Sequence, residues 1–280
     1  PNFIIVLGDT NSPLAGALAA SKHHIPTVHV EAGLRSFDKT MPEEINRITI
    51  DHISNVLFAP SRLAVQHLSQ EGVTERVFLV GNTIVDVCLK CLPDATKLNV
   101  HVELGLTADD YVVVTLHREA NTEEDQLRSV AQALVSMPSI NFVFPIHPRT
   151  QKRLMELNFL SRLSKSKNIQ LINPLGYLEF LCLMQHSRFI LTDSGGIQEE
   201  AITLKVPCLT LRENTERWET VDLGVNKLIG VRAERIIEET EMAWRDDEWK
   251  RGVRYVKNPY GAGLAAEKII KKLEEVFRSR

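Results

Sequence analysis

Thr27-Val28-His29-Val30 runs directly into Glu31-Ala32-Gly33-Leu34-Arg35, and the junction between those two runs decides the fold. The first run is nearly unbroken in its apolar character, which suits a strand covered on both faces of a parallel sheet. The second is polar and carries glycine, and it falls at the carboxyl end of the strand, where open α/β sheets hold ligands. Working outward, the same pairing recurs. Residues 3–7 lead into Gly8-Asp9-Thr10, residues 56–58 and 77–80 read as two more strands, and helical spacing fills the segments between. From about residue 84 to residue 110 the pattern loosens into a polar stretch containing Pro93, expected as a domain junction. It resumes with strands at 111–116, 141–145, 169–172, 189–192 and 207–211. Such alternation predicts an α/β protein of two Rossmann-like, doubly wound domains. The first is expected at 1–95 and the second at 96–257. In the remaining segment, 258–280, apolar i, i+4 spacing over 264–277 predicts an amphipathic helix packed back on the first domain. Only four strand candidates precede the junction, and the first opens at residue 3 with no methionine before it. The N-terminal domain is therefore expected to be truncated.

Bulk properties narrow the function classes. With 44% hydrophobic and 25% charged residues the chain falls in the range of soluble globular proteins, and a formal net charge of −3 provides no general attraction to nucleic acid or to an anionic membrane. No apolar run approaches the roughly 20 residues that span a bilayer, and the start does not read as a signal peptide. A cytoplasmic protein with a small-molecule partner is expected. Four scattered cysteines make no disulfide framework. Cys88 and Cys91 form a CxxC without a second pair or a nearby histidine, so they read as packing, as do Cys182 and Cys208 in their apolar stretches.

The strand ends form the candidate site. Asp9, Glu31, His117, His147 and the run Asp193-Ser194-Gly195-Gly196 all follow predicted strands. One such residue is usually a helix cap or a turn former, but five clusters at equivalent places favour a site. The small residues of Asp193-Ser194-Gly195-Gly196-Ile197-Gln198-Glu199-Glu200 let backbone N–H groups approach an anion at a helix start. The run lacks both the P-loop lysine and the GxGxxG spacing, so neither ATP hydrolysis nor NAD binding is supported. Glu199 and Glu200 are equally suited to complementing the helix dipole. Pro42-Glu43-Glu44-Ile45-Asn46-Arg47 reads as a helix start. Asp9 and Glu31 end adjacent strands, so with Glu43 three carboxylates are expected to converge, where burial and repulsion raise proton affinity.

Taken in order, LGDTNS (7–12), HVEAGLRSFD (29–38), MPEEINR (41–47), APS (59–61), VGNTIVD (80–86), TLHREAN (115–121), PIHPRT (145–150), NPLGYLEF (173–180), TDSGGIQEEA (192–201), RENTERWET (212–220) and NPYGAG (258–263) resemble the non-hydrolysing UDP-N-acetylglucosamine 2-epimerases. The resemblance implies a GT-B fold, with two Rossmann-like domains facing a cleft. It implies acid/base roles for Asp9, Glu31 and Glu43 and a catalytic-site histidine at His117. It also implies uracil stacking by Phe180, and phosphate and ribose contacts by Ser194, Gly195, Gly196 and Glu200. Arg47 and Arg212 fall at basic positions near the nucleotide, and His147 at a supporting one. No cofactor or metal is implied; the partner is a UDP-N-acetylhexosamine, and the assembly a homodimer. Two departures stand out. The family's first strand, its Gly-Thr-Arg-Pro-Glu loop and further βα units have no counterpart here, and Ala262 stands where the family often has aspartate.

The chemistry implied is interconversion of UDP-GlcNAc and UDP-ManNAc by elimination of UDP to a 2-acetamidoglucal, followed by re-addition. Three other readings fit the same residues: a UDP-sugar glycosyltransferase, a hydrolysing epimerase, and a non-catalytic nucleotide-sugar binding module.

Overall fold

A computed structural model of the chain describes residues 1–116 and 123–278. It divides into two compact units. The first comprises Pro1–Leu89, Asn214–Glu219 and Asn258–Arg280; the second comprises Lys90–Glu213 and Thr220–Lys257.

In the first unit β1 (Ile4–Leu7), α1 (Asn11–Lys22), β2 (Thr27–Val30), α2 (Pro42–Ile53), β3 (Val56–Ala59), α3 (Arg62–Gln70), β4 (Val77–Leu79) and α4 (Thr83–Lys97) alternate. The four strands are parallel in the order β1-β2-β3-β4. β2 and β3 are buried along their whole length, which is why their sequences do not alternate.

The expected loose junction at 84–110 is largely helical as far as Glu103, and only 104–110 is irregular. α4 continues through Pro93 to Lys97, and α5 (Val100–Glu103) follows at once. Proline inside α4 lacks the N–H that would bond the carbonyl four residues back, Leu89. The division between the units falls at that residue.

The second unit continues with β5 (Val112–Thr115), α6 (Glu124–Val135), β6 (Phe142–Pro145), α7 (Pro148–Glu156), α8 (Leu160–Lys165), β7 (Ile169–Ile172), α9 (Tyr177–Gln185), β8 (Phe189–Thr192), α10 (Gly195–Leu204) and β9 (Cys208–Thr210). After α11 (Trp218–Asp222) come β10 (Asn226–Leu228), α12 (Ala233–Arg245) and α13 (Asp247–Val253). Its six parallel strands run β10-β9-β8-β5-β6-β7, the Rossmann order, and the winding reverses between β5 and β8. β10 was not expected from the sequence. Two of its three residues are Asn226 and Lys227, so it carries almost no apolar signal.

α14 (Ala265–Phe277) belongs to the first unit. Its Ile269 joins Val28, Val56 and Phe58 in the core, and Phe277 stacks on Phe3 with ring centroids 4.4 Å apart. Asp86 caps its start, accepting hydrogen bonds from the N–H groups of Ala265 and Ala266 at 3.0 and 2.7 Å. The four cysteines are free, and burial pushes the Cys208 thiol up to about 12. No helix among the described residues is long and apolar enough to cross a membrane.

Candidate active site

β1 and β2 pair in register, Leu7 opposite Val30, so the residues that follow them emerge side by side. Glu31 follows β2 with φ +71°, a left-handed conformation that costs a non-glycine residue roughly 1–3 kcal/mol unless its surroundings hold it. Those surroundings are specific. Gly33 (φ +84°) passes so close to α3 that a Cβ there would lie 2.3 Å from the Ala64 carbonyl oxygen. Its N–H donates to Asp51 Oδ2 at 3.1 Å. Asp51, fully buried on α2, also accepts from Arg35 Nη1 at 2.7 Å and meets His29 Nδ1 at 2.6 Å. The other nitrogen of His29 faces the Gly8 carbonyl at 3.1 Å. Both neighbours of the ring are oxygen atoms that accept hydrogen bonds. One buried aspartate thus ties the end of β1, the end of β2 and the following loop together.

Asp9 receives Arg47 Nε at 3.0 Å and Nη2 at 2.6 Å, and its carbonyl accepts from Asn46 Nδ2 at 2.9 Å. Arg47 Nη1 bonds Glu44 Oε2 at 2.8 Å. Glu44 is fully buried and also accepts from the N–H and hydroxyl of Ser36, both at 2.9 Å, and from the N–H of Phe37 at 2.8 Å. Of the paired glutamates on α2, Glu44 is therefore scaffolding. Glu43, one residue earlier and half-buried, remains the reactive candidate. Arg47 is 2% exposed and already holds two carboxylates, which makes it an organiser of the acid cluster.

Glu31 lies beside this pair. Burial pushes its carboxyl above the usual carboxylate range; the Arg217 guanidinium, 4.0 Å away, opposes the rise and Asp9 adds to it. Arg217 is carried by the segment Asn214–Glu219, which is pinned to the first unit from both ends. Asn214 Nδ2 donates to Asp38 Oδ2 at 2.8 Å. Glu219 accepts from the Tyr260 hydroxyl at 3.0 Å and from Ser61 Oγ. Sequence reasoning did not single out Arg217, Asp51 or Glu219. The only signal was the density of charge in RENTERWET and in the helix that begins at Pro42.

In the second unit the polar loop after β8 occupies the switch point. The hydroxyls of Thr115 and Thr192, the last residues of β5 and β8, lie 2.5 Å apart, and Ser194 N donates to Thr192 Oγ1 at 3.0 Å. Ser194 is the extended residue before α10, and Gly195 and Gly196 form its first turn. First-turn N–H groups have no partner within a helix, and with the dipole they make an anion seat. Glu200, one turn further on, is buried; burial raises its carboxyl above the usual range, opposed by a hydrogen bond from Tyr177. Phe180 lies half-buried on the same α9 as Tyr177. Arg212 is buried just past β9, its N–H bonded to the Thr210 carbonyl at 2.9 Å. His147 caps α7, its Nδ1 accepting from Arg149 N at 3.2 Å. His117 lies outside the described residues.

The chain is similar to known proteins over nearly its whole length. A family model described as UDP-N-acetylglucosamine 2-epimerase matches residues 1–274. A UDP-N-acetylglucosamine 2-epimerase of Methanocaldococcus jannaschii is 48% identical, over 98% of this chain and 75% of its own. The crystal structure of that organism's enzyme with UDP-GlcNAc and UDP superposes with a TM-score of 0.89 at 47% identity, covering 98% of this chain and 76% of its own. A Pseudomonas aeruginosa UDP-2,3-diacetamido-2,3-dideoxy-D-glucuronate 2-epimerase is 39% identical over 99% of this chain and 75% of its own.

Proposed function

The chain belongs to the UDP-N-acetylglucosamine 2-epimerase family, and on that premise we propose that it inverts carbon 2 of a UDP-linked N-acetylhexosamine by elimination and re-addition. It is an isomerase, and the substrate we assign is UDP-N-acetylglucosamine, for which the Methanocaldococcus jannaschii relative is named. Carbon 2 of that sugar is not adjacent to a carbonyl, so direct proton removal and return is too slow. A base takes the C2 proton, the C2–H electron pair becomes the C1=C2 bond, and the C1–O bond breaks with its pair leaving on UDP. The UDP oxygen then attacks C1 of the 2-acetamidoglucal while a proton is delivered to the other face of C2. Atoms and electrons balance without an oxidant or reductant.

Two faces require two acid/base groups. The observation that carries this reading is the half-buried Glu31 beside Asp9, two carboxyl groups in contrasting environments set by desolvation and by Arg47 and Arg217. We assign proton transfer to Glu31 and Asp9, with Glu43 and His117 in support. In the second unit the first turn of α10 takes the diphosphate, Glu200 the ribose, and Phe180 the uracil, with Arg212 alongside. This division of labour between the units is part of the proposal, as are a cytoplasmic location and a homodimer. The 39% identical relative leaves a diacetamido uronate as a second substrate reading.

The test is turnover of UDP-N-acetylglucosamine in heavy water. UDP-N-acetylmannosamine carrying deuterium at C2 from the first turnover is expected. Unlabelled product overturns the elimination, and free N-acetylmannosamine with UDP as the products makes the enzyme a hydrolysing one.

A further inference from the structure

His101, Cys182 and His186 form a cluster in the second unit that the epimerase chemistry does not use. One donor atom from each lies within 4.8 Å of the others. Cys182 and His186 are four residues apart, so they present to one face of α9, and His101 reaches them from α5. Cys182 is fully buried and His101 nearly so. The sequence read Cys182 as packing because its partners lie on another helix and at a helix end, and no CxxC or HxxxH spacing marks them.

Two details make this a donor set. His101 Nδ1 is buried and has no hydrogen-bond partner among the described residues, an expensive state for a ring nitrogen. His186 Nδ1 lies 2.9 Å from the carbonyl oxygen of Cys182, to which it donates when protonated. The same nitrogen lies 3.9 Å from Cys182 Sγ, so the ring already faces the thiol. The two rings stack at 4.0 Å and 17°. A ligated cation lies in the plane of each imidazole, so one ring must turn out of the stack. The closing distance is small, because tetrahedral zinc places its nitrogen and sulfur ligands roughly 3.3–3.6 Å apart.

We propose that His101, Cys182 and His186 bind a borderline divalent cation, Zn²⁺ in particular, with solvent at the half-exposed His186 side as the fourth ligand. The cation displaces the thiol proton of Cys182, which leaves to solvent, and it cross-links α5 to α9. Neither carboxylates nor nucleotide contacts are involved, so the site is independent of the proposed reaction.

The test is titration of tag-free, chelator-stripped protein with Co²⁺. One equivalent per chain is expected, with a thiolate-to-cobalt charge-transfer band and the intense visible bands of a tetrahedral ion, all bleached by Zn²⁺. Cys182→Ser should abolish the charge-transfer band, while His101→Asn and His186→Gln should each weaken binding at least tenfold. Cys91→Ser should change nothing. Circular dichroism checks the fold, and His186→Gln, at a half-exposed helix end, keeps the test valid if a buried substitution unfolds the chain. A wild-type spectrum without thiolate ligation, or one that survives Cys182→Ser in folded protein, overturns the site.

Discussion

Asp51→Ala tests whether one buried carboxylate organises the acid cluster. The substitution removes the acceptor of Gly33 N–H, the Arg35 Nη1 contact and the His29 Nδ1 contact in a side chain that is 0% exposed. Breaking a buried ion pair costs about 3–5 kcal/mol, and stranding a buried N–H about 1–3 kcal/mol. The two do not add fully. Arg35 keeps Glu71 through two bonds of 2.7 Å and the Leu34 carbonyl at 2.7 Å, so its charge is not left bare. A loss of about 4 kcal/mol follows, nearly three decades in the opening equilibrium of the first unit. Hydrogen exchange reads it locally, as a fall of that size in the protection of residues 29–35. Turnover should fall with it, because the loop that sets Glu31 in its left-handed conformation loses its pin. The pH dependence has a definite sign. Burial alone would raise the Asp51 carboxyl, but His29 and Arg35 outweigh burial and hold it below the ordinary aspartate range. A depressed folded-state pKa stabilises above the unfolded value and is lost as pH falls through the folded one. Wild type and variant should therefore converge only in strong acid. Unchanged protection at 29–35 in the variant at neutral pH would refute the reasoning.

Glu31→Gln should lower kcat by about a hundredfold or more with little effect on UDP affinity measured by calorimetry. The same variant should melt at a higher temperature than wild type at neutral pH. A raised folded-state pKa gives stability below the unfolded value that is lost as pH rises through the folded one, so the advantage should vanish in acid. Arg217→Met removes the charge that restrains Glu31, and should move the acidic limb of the kcat/KM profile to higher pH. Gly33→Ala should destabilise the first unit by more than about 3 kcal/mol in urea unfolding, since a Cβ meets backbone at 2.3 Å and the conformation is left-handed. Phe180→Ala should weaken UDP binding by about 1 kcal/mol, roughly fivefold, and Glu200→Gln should weaken it too, both by calorimetry.

Much was legible along the chain because local periodicity reports which faces are buried. Unbroken apolar strands at 27–30, 56–59 and 112–115 announced parallel sheets, and polar residues after each strand announced where a ligand belongs. The adjacency of Asp9 and Glu31 followed from consecutive parallel strands alone. Other features were fixed only by packing. Glu43 and Glu44 are neighbours in sequence, yet successive residues on a helix point about 100° apart, and the phase of α2 against the Ser36 loop decides which one is buried, with Arg47 three residues on from Glu44 completing its partners. Asp51 meets His29 across 22 residues and Arg217 meets Glu31 across 186, pairings that no local pattern encodes. His101 finds His186 in the same way. By itself the sequence determined the strand and helix pattern, the strand-end positions of the candidate groups and the family likeness. Tertiary structure alone decided which polar side chains neutralise one another and which stay reactive, because burying a charge is tolerable only where a partner from elsewhere in the chain arrives at hydrogen-bond distance.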